Sequence, residues 1–158
     1  MVRFALLVCF MILAGCDEYP KDAQGTLETV QSSQILRVGI IRHKPWAYQD
    51  GSKPQGIEVE IVSGFAQSLN AKPQWRFLSE SQATENLKNY EIDLVIGGLT
   101  EDNPRKKEIG FTRSYLITGD DKKDRHVMAV PKGENRFITV LEKFLKARQS
   151  DIQKMYRE

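Results

Sequence analysis

The sequence predicts an α/β domain whose sheet is mainly parallel and is flanked by helices. Short runs rich in β-branched residues alternate with segments in which apolar residues recur at helical spacing, which is typical of parallel sheets with helical crossovers. A chain of 158 residues with 41% hydrophobic and 28% charged residues has the balance of one globular domain. Its formal net charge is +2, and no basic stripe is interleaved with aromatic residues, so nucleic acid is not an expected partner.

Residues 1–15 are typical of a lipoprotein signal peptide. A basic residue precedes an apolar run over residues 4–13, which is too short to span a bilayer. The run leads into Leu-Ala-Gly-Cys, a pattern similar to the lipobox, in which Cys16 is acylated and becomes the first mature residue. The alternative is a plain secretory signal with an incidental cysteine. Acylation predicts a periplasmic chain anchored in a membrane, and Asp17 resembles the signal for retention in the inner membrane.

The polar residues 16–34 predict a flexible tether, and the folded domain is expected over residues 35–149. The first strand is predicted at residues 36–41. After a loop rich in proline and glycine, a helix that ends at residues 70–73 is predicted from apolar residues at helical spacing, namely Ile57, Ile61, Val62, Phe65, Ala66 and Leu69.

Two more strands and two short helices are expected in the middle of the chain. The second strand is predicted at residues 75–78, and Ser81 is the expected N-cap of the helix after it. The buried-type run at residues 92–96 predicts a third strand, which ends in the glycine pair 97–98. Asp102 is the expected N-cap of the next short helix.

The remaining strands are predicted at residues 114–118 and 126–130, with a charged turn between them. A last helix is expected over residues 135–149, followed by a tail at residues 150–158. The residues that predict its buried face are Phe137, Ile138, Leu141, Phe144 and Leu145.

Several of these segments form an ordered pattern along residues 35–149, namely Leu36 to Gly39, Pro45-Trp46, Gly56 to Ile61, Ile92 to Thr100 with Arg105, Phe111 to Tyr115, and His126 to Asn135. Together they resemble the family 3 extracellular solute-binding proteins, the periplasmic receptors of ABC transporters for polar amino acids. The resemblance implies a lobe of the periplasmic-binding-protein fold, and it implies a small-molecule solute and a transporter permease as partners.

The resemblance also implies that the second lobe is missing. Family members have two lobes that are joined by two crossover segments and trap the ligand between them. Here the outgoing segment ends near Gly119 and the returning one begins near His126, so only a short charged turn joins them. Two antiparallel strands need no longer connection. The sequence therefore predicts lobe one alone, and it leaves open a natural deletion, a degraded paralogue or an engineered dissection.

The ligand site that the resemblance implies lies after the third strand. Arg105 stands where the family grips the ligand's α-carboxylate, and Thr100 matches a hydroxyl that bonds the same group. Gly98 offers a backbone N–H beside it, and Gly97 a carbonyl for the ligand's amine. The alternatives are a solvated surface arginine and a glycine pair that serves a tight turn with positive φ.

Two further positions are candidates for ligand contact. Trp46 is expected to be either a cleft wall or a core contact. Glu58 matches an acidic position of the family, although the helix dipole favours a carboxylate there in any case. His43 and His126 are isolated and expected at the surface, so neither a metal site nor a cofactor is predicted. No evident acid–base pair of carboxylates is present, so an enzyme is not expected.

The sequence therefore predicts a membrane-anchored periplasmic solute-binding protein that binds an amino acid or a small carboxylate, weakly because one wall of the site is missing. One alternative is a protein-interaction or regulatory module that uses the exposed cleft face. That alternative predicts that Trp46, Leu99 and Tyr115 form a surface patch. The other alternative is a non-functional paralogue.

Overall fold

A computed structural model of the chain describes residues 21–119 and 123–157. The signal peptide predicted at residues 1–15 and the acylation predicted at Cys16 lie outside the described residues. No described helix combines the length and the apolar composition that a membrane span requires.

The described part of the chain forms five α-helices, nine strands and one short 3-10 helix at Pro104–Lys107. In chain order the α-helices and strands are α1 (Thr26–Ser33), β1 (Ile35–Ile40), β2 (Tyr48–Asp50), β3 (Lys53–Gln55), α2 (Ile57–Ser68), β4 (Lys72–Phe77), α3 (Glu80–Lys88), β5 (Leu94–Ile96), β6 (Gly110–Phe111), β7 (Leu116–Thr118), β8 (Asp124–His126), β9 (Ala129–Val130), α4 (Asn135–Ala147) and α5 (Gln149–Arg157).

The central sheet has five strands in the order β4-β1-β5-β9-β6. Strand β1 runs parallel to both neighbours, so Val38 lies opposite Trp75 of β4 and Leu94 of β5. Strands β9 and β6 extend the sheet in the antiparallel sense. The predicted fold class is confirmed: the chain is a single α/β lobe with a mostly parallel central sheet.

Helices cover both faces of the sheet. Leu94 and Ile96 of β5 belong to the larger core, whereas Val95 between them belongs to a second core that α3 covers, because successive strand residues point to opposite faces. Helices α2 and α4 cover the larger core. The predicted buried face of α4 is confirmed, since Phe137 and Leu141 are fully buried.

The prediction of a flexible tether over residues 16–34 is wrong for its second half. Residues 26–33 form helix α1, whose Leu27 and Val30 are buried in the larger core against β1 and α4. The polar composition of the segment concealed two apolar residues at the i, i+3 spacing that buries one helical face. The lobe therefore includes α1 ahead of the first predicted strand.

The prediction of a tail at residues 150–158 is also wrong. The last predicted helix ends at Ala147, and a separate helix, α5, covers residues 149–157. Ile152 of α5 is buried and Met155 packs against the larger core. Because Ile152 and Met155 are three positions apart, they lie on the same side of α5 and form its apolar face.

Two predicted helix caps are displaced from their true positions. Helix α3 is capped by Ser79, not Ser81, because Ser79 and Gln82 form a capping box with reciprocal hydrogen bonds. The 3-10 helix is capped by Asn103, not Asp102, and the Asn103 side chain accepts a hydrogen bond from the backbone N–H of Arg105.

Strands β7 and β8, which cover the two segments expected to be crossovers, pair as an antiparallel hairpin. Leu116 of β7 pairs with His126 of β8, and Thr118 pairs with Asp124. Residues 119–123 therefore connect the strands, as the sequence predicts. The predicted strand at residues 126–130 is interrupted, because its first residue pairs in this hairpin and its last two residues form β9 in the central sheet.

Candidate functional site

A buried carboxylate organises the carboxyl end of the sheet. Glu58 lies in the first turn of α2 and is fully buried. Its Oε2 accepts hydrogen bonds from the backbone N–H groups of Gly97, at 2.7 Å, and Gly98, at 2.9 Å. The Tyr115 hydroxyl donates to Oε1. Three donors therefore converge on one side chain and connect α2, the turn after β5 and the segment before β7.

Burial shifts the pKa of both side chains in this network upward. Desolvation raises the pKa of Glu58 above 4.5, and the bonds from Tyr115, Gly98 and Gly97 together with the charge of His43 oppose the rise. Desolvation, the Glu58 charge and the bond to Glu58 raise the pKa of Tyr115 well above 10.0. Tyr115 therefore keeps its proton and remains a donor to Glu58.

The glycine pair after β5 has no room for side chains. A Cβ on Gly97 would lie 2.3 Å from the backbone oxygen of Ile41, and one on Gly98 would lie 2.3 Å from Cδ1 of Trp46. The carbonyl of Gly97 lies 3.1 Å from Nδ1 of His43, and the N–H of Gly98 donates to Glu58. The two backbone atoms expected to contact a ligand therefore already have partners within the chain.

Trp46 is a core contact in this structure. Its side chain is only 4% exposed, its ring centroid lies 3.9 Å from that of His126, and it stacks on Tyr156 of α5 at 5.5 Å. Leu99 and Tyr115 are buried as well, at 8% and 4% exposure. The surface patch of three apolar residues that the interaction-module alternative requires is therefore not present.

The prediction that His126 lies at the surface is wrong. It is 4% exposed, and its Nε2 lies 2.8 Å from the hydroxyl oxygen of Thr118. Its Nδ1 has no hydrogen-bond partner within the described ranges. Burial lowers the pKa of His126 below 6.5, an effect that the nearby Asp124 opposes and His43 reinforces. His43 is exposed, as predicted.

Thr100 and Arg105 are partly exposed and lie in the segment that follows β5, Thr100 just past the glycine pair and Arg105 in the 3-10 helix. The N–H of Asn103 donates to the carbonyl of Thr100, at 3.0 Å, and the Asn103 side chain accepts from the N–H of Arg105, at 2.9 Å. The guanidinium of Arg105 pairs with Glu108 at 3.1 Å. Of the six predicted ligand contacts, these two side chains are the ones that the fold leaves accessible.

The roles of two side chains at this site were not predicted from the sequence. Tyr115 donates to Glu58 across 57 residues of chain, and Tyr156 covers Trp46 from a helix that was expected to be a tail. The spacing of Ile152, Met155 and Tyr156 was the signal that could have identified the helix. Within the described ranges, no three His, Cys, Asp or Glu side chains are grouped closely enough to hold a metal ion.

Comparison with known families gives one match that covers most of the chain. The family model for bacterial extracellular solute-binding proteins, family 3, matches residues 36–158. Membrane-bound lytic murein transglycosylase F of Pseudomonas fluorescens is 34% identical over 113 residues, which are 68% of this chain and 22% of that protein. The probable amino-acid-binding protein YxeM of Bacillus subtilis is 26% identical over 120 residues, which are 75% of this chain and 44% of that protein. The chain thus spans less than half the length of either relative.

Solved structures share the fold of the lobe. The arginine-bound form of domain 1 from TmArgBP has a TM-score of 0.70 at 21% identity, and the match covers 75% of this chain and 97% of that domain. An ancestral cationic amino acid solute-binding protein has a TM-score of 0.73 at 14% identity, over 84% of this chain and 98% of the other.

Proposed function

Because this chain belongs to the bacterial extracellular solute-binding proteins of family 3, we propose that it binds an amino acid or a small carboxylate on its single lobe. The binding groups are Thr100 and Arg105. The observation that carries the proposal is that both remain accessible in the segment that follows the carboxyl end of a central strand. Ligands of open α/β sheets bind at such ends.

The buried network supports this assignment because it holds the turn in place. Glu58 fixes the backbone of Gly97 and Gly98, and β5 fixes the residues before them. The turn that presents Thr100 and Arg105 therefore begins on a rigid support. A preorganised arginine fork loses less entropy when it receives a carboxylate with two parallel hydrogen bonds.

The ion pair of Arg105 with Glu108 is compatible with ligand binding. Both side chains are 39% exposed, and exposed pairs of this kind contribute little net stability because water screens them. A ligand carboxylate would replace that of Glu108 on the guanidinium. Because the site is open on one side, it buries less of a ligand than a closed cleft, and we expect weak binding. The arginine-bound domain 1 of TmArgBP supports ligand binding by one lobe.

The proposal includes an anchor on the periplasmic side of the inner membrane. Acylation of Cys16 provides it, and the residue pattern around that cysteine is the support. An anchored lobe would stay close to the permease of an ABC transporter. Binding without catalysis is proposed, because the carboxylate at the centre of the site is used to hold the backbone.

A thermal-shift screen of the full chain against amino acids and small carboxylates tests the proposal. A saturable rise in melting temperature that Arg105→Ala abolishes is the expected result. Arg113→Ala is the matched control, because Arg113 is 91% exposed, pairs with Glu142 of α4 and lies beyond β6, outside the segment that carries Thr100 and Arg105. A cooperative melt that no ligand shifts would overturn solute binding and favour a non-functional paralogue.

A further inference from the structure

Hydrogen bonds hold the N-terminal end of the described chain, at Asp22 and Ala23, against the start of α4. The N–H of Ala23 donates to the carbonyl of Gly133, at 3.3 Å, and the side chain of Asp22 accepts from the first turn of α4. Six peptide steps separate Cys16 from Asp22, and they reach at most about 20 Å. If Cys16 is acylated, as the proposed function holds, the surface around Gly133 lies within that distance of the bilayer.

A groove with a volume of about 540 Å³ opens at this surface. Gly133 lines it together with Phe111, Val130 and Pro131, which form an apolar floor beside the edge of the sheet. The exposed lysines Lys106 and Lys132 also line it. The groove therefore combines apolar surface and positive charge next to the residue on which the N-terminal segment rests.

Lys132 is tied to the 3-10 helix that carries Lys106. The ammonium group of Lys132 donates to the backbone carbonyl of Lys107, at 3.1 Å, so Lys107 lies beside the groove as well. Two carboxylates line the groove, but neither presents an unpaired charge at the rim: Glu134 is buried, at 1% exposure, where it accepts from two backbone N–H groups, and Glu101 pairs with Arg125 at 2.6 Å. The charge that the rim presents is therefore mainly positive.

We propose that this groove docks the headgroup of an anionic phospholipid in the bilayer that holds the anchor. The lysines would receive the phosphate, and the apolar floor would lie against the glycerol and the first acyl carbons. Each lysine at an anionic surface adds about a fivefold gain in binding, so a few lysines suffice to orient a lobe that is already tethered.

Lysine footprinting of the full chain in vesicles tests the proposal. The acylated chain is placed in vesicles of phosphatidylcholine alone or of an equimolar mixture with phosphatidylglycerol. Its lysines are acetylated with a water-soluble reagent and read by mass spectrometry. We expect labelling of Lys106, Lys107 and Lys132 to fall several-fold in the anionic vesicles. Lys143 and Lys146, which are exposed on α4, serve as controls and should be unchanged.

Variants give an independent readout. The double variant Lys106→Glu with Lys132→Glu should abolish the protection of Lys107 in anionic vesicles, and Lys143→Glu with Lys146→Glu should leave it intact. Equal labelling of the groove lysines in both kinds of vesicle would overturn the proposal. Equal protection by inorganic phosphate in neutral vesicles would assign the groove to a free anion instead and would also overturn it.

The same digest separates this proposal from the proposed function. The mass of the N-terminal peptide shows whether Cys16 is acylated, and a chain without acyl groups would have no bilayer beside the groove, which overturns the docking proposal. Solute binding is judged by the thermal-shift screen and does not depend on that result.

Discussion

Asp22 and Glu134 cap each other's helices. Oδ1 of Asp22 accepts from the N–H groups of Arg136 and Phe137 in the first turn of α4, at 2.7 and 2.8 Å. Oε2 of Glu134 accepts from the N–H of Thr26 at the start of α1, at 2.8 Å. Neither helix is capped by the side chain of its own N-cap residue. The first and last thirds of the lobe are therefore joined by reciprocal caps.

Removing one of these caps should destabilise the lobe. Asp22→Ala leaves backbone N–H groups at the starts of both helices without their acceptor, because Oδ2 of Asp22 also accepts from the N–H of Leu27 in α1, at 3.1 Å. We expect the variant to lower the free energy of unfolding by about 1–2 kcal/mol. Urea denaturation followed by circular dichroism measures the change. Lys21→Ala is the control, because Lys21 is exposed and adjacent. Equal midpoints for the two variants would contradict the capping role.

A fragment that begins at Gln34 should be less stable than the full lobe. It lacks α1 and therefore the buried side chains of Leu27 and Val30, each worth about 1.5–3 kcal/mol when fully buried. We expect a lower unfolding midpoint in urea than for a fragment that begins at Lys21. Identical midpoints would show that α1 does not contribute to the core.

Glu58 should contribute far more to the stability of the lobe than Glu60, which lies half a turn further along α2. Glu58→Ala leaves the N–H groups of Gly97 and Gly98 and the hydroxyl of Tyr115 without an acceptor, and a buried unsatisfied group costs about 1–3 kcal/mol. We expect a total loss of about 3 kcal/mol or more. Glu60→Ala, on the exposed side of α2, should stay within about 0.5 kcal/mol of the wild type. Chemical denaturation distinguishes the two, and similar losses would refute the network.

A methyl group should be tolerated at Gly51 and not at Gly98. Both residues have positive φ, 58° and 66°, which costs an alanine about 1–2 kcal/mol. Only Gly98 is crowded, because a Cβ there would also meet Nδ1 of His43 at 2.7 Å, whereas nothing lies within 4 Å at Gly51. We expect Gly98→Ala to lose roughly 2–5 kcal/mol in all. Equal melting temperatures for the two variants would contradict the packing around Gly98.

His126 should make the lobe sensitive to acid. Its pKa in the folded state lies below the value of 6.5 expected when unfolded, so the unfolded chain binds more protons between the two values. Stability should therefore fall as the pH drops below 6.5 and level off beneath the folded pKa. Glu58 contributes with the opposite sign, since its raised pKa makes stability fall as the pH rises above 4.5.

Two variants separate the effect of His126 on the pH dependence of stability from that of other titrating groups. His126→Gln keeps a polar group near Thr118 but does not titrate, so the loss of stability below pH 6.5 should shrink. Asp124→Asn removes the charge that raises the pKa of His126, so the loss should extend to lower pH. Urea-denaturation midpoints measured at and below pH 6.5 test both expectations. If the midpoint of His126→Gln depends on pH as that of the wild type does, His126 is not the cause of the acid sensitivity.

Local patterns predicted the strands and helices that carry their own signal. Both ends of strand β1 and the start of helix α2 were placed within one residue of the observed bounds, because apolar periodicity and flanking turn residues mark them. The helix was expected to end at residues 70–73 and ends at Ser68. The single lobe closed by a hairpin followed from the short stretch between Gly119 and His126. These features depend on residues close together in the chain.

The missed features depend on partners far away in sequence. Helix α1 is stabilised by Glu134, more than 100 residues later, and its own residues look like a tether. His126 is buried by Trp46, 80 residues earlier, so no local pattern distinguishes it from a surface histidine. For the same reason no local pattern indicates that the N–H of Gly98 donates to Glu58, 40 residues earlier.

The hairpin of β7 and β8 makes the lobe a natural acceptor for an inserted domain. Thr118 and Asp124 face each other across the ladder, so the two ends of the connection lie about 5 Å apart. A folded module whose own termini are equally close would join there without disturbing the register of the central sheet. Spliced at this position, a reporter or a foreign binding domain would be carried on two adjacent strands, and it would move relative to the lobe at the edge of the proposed solute site.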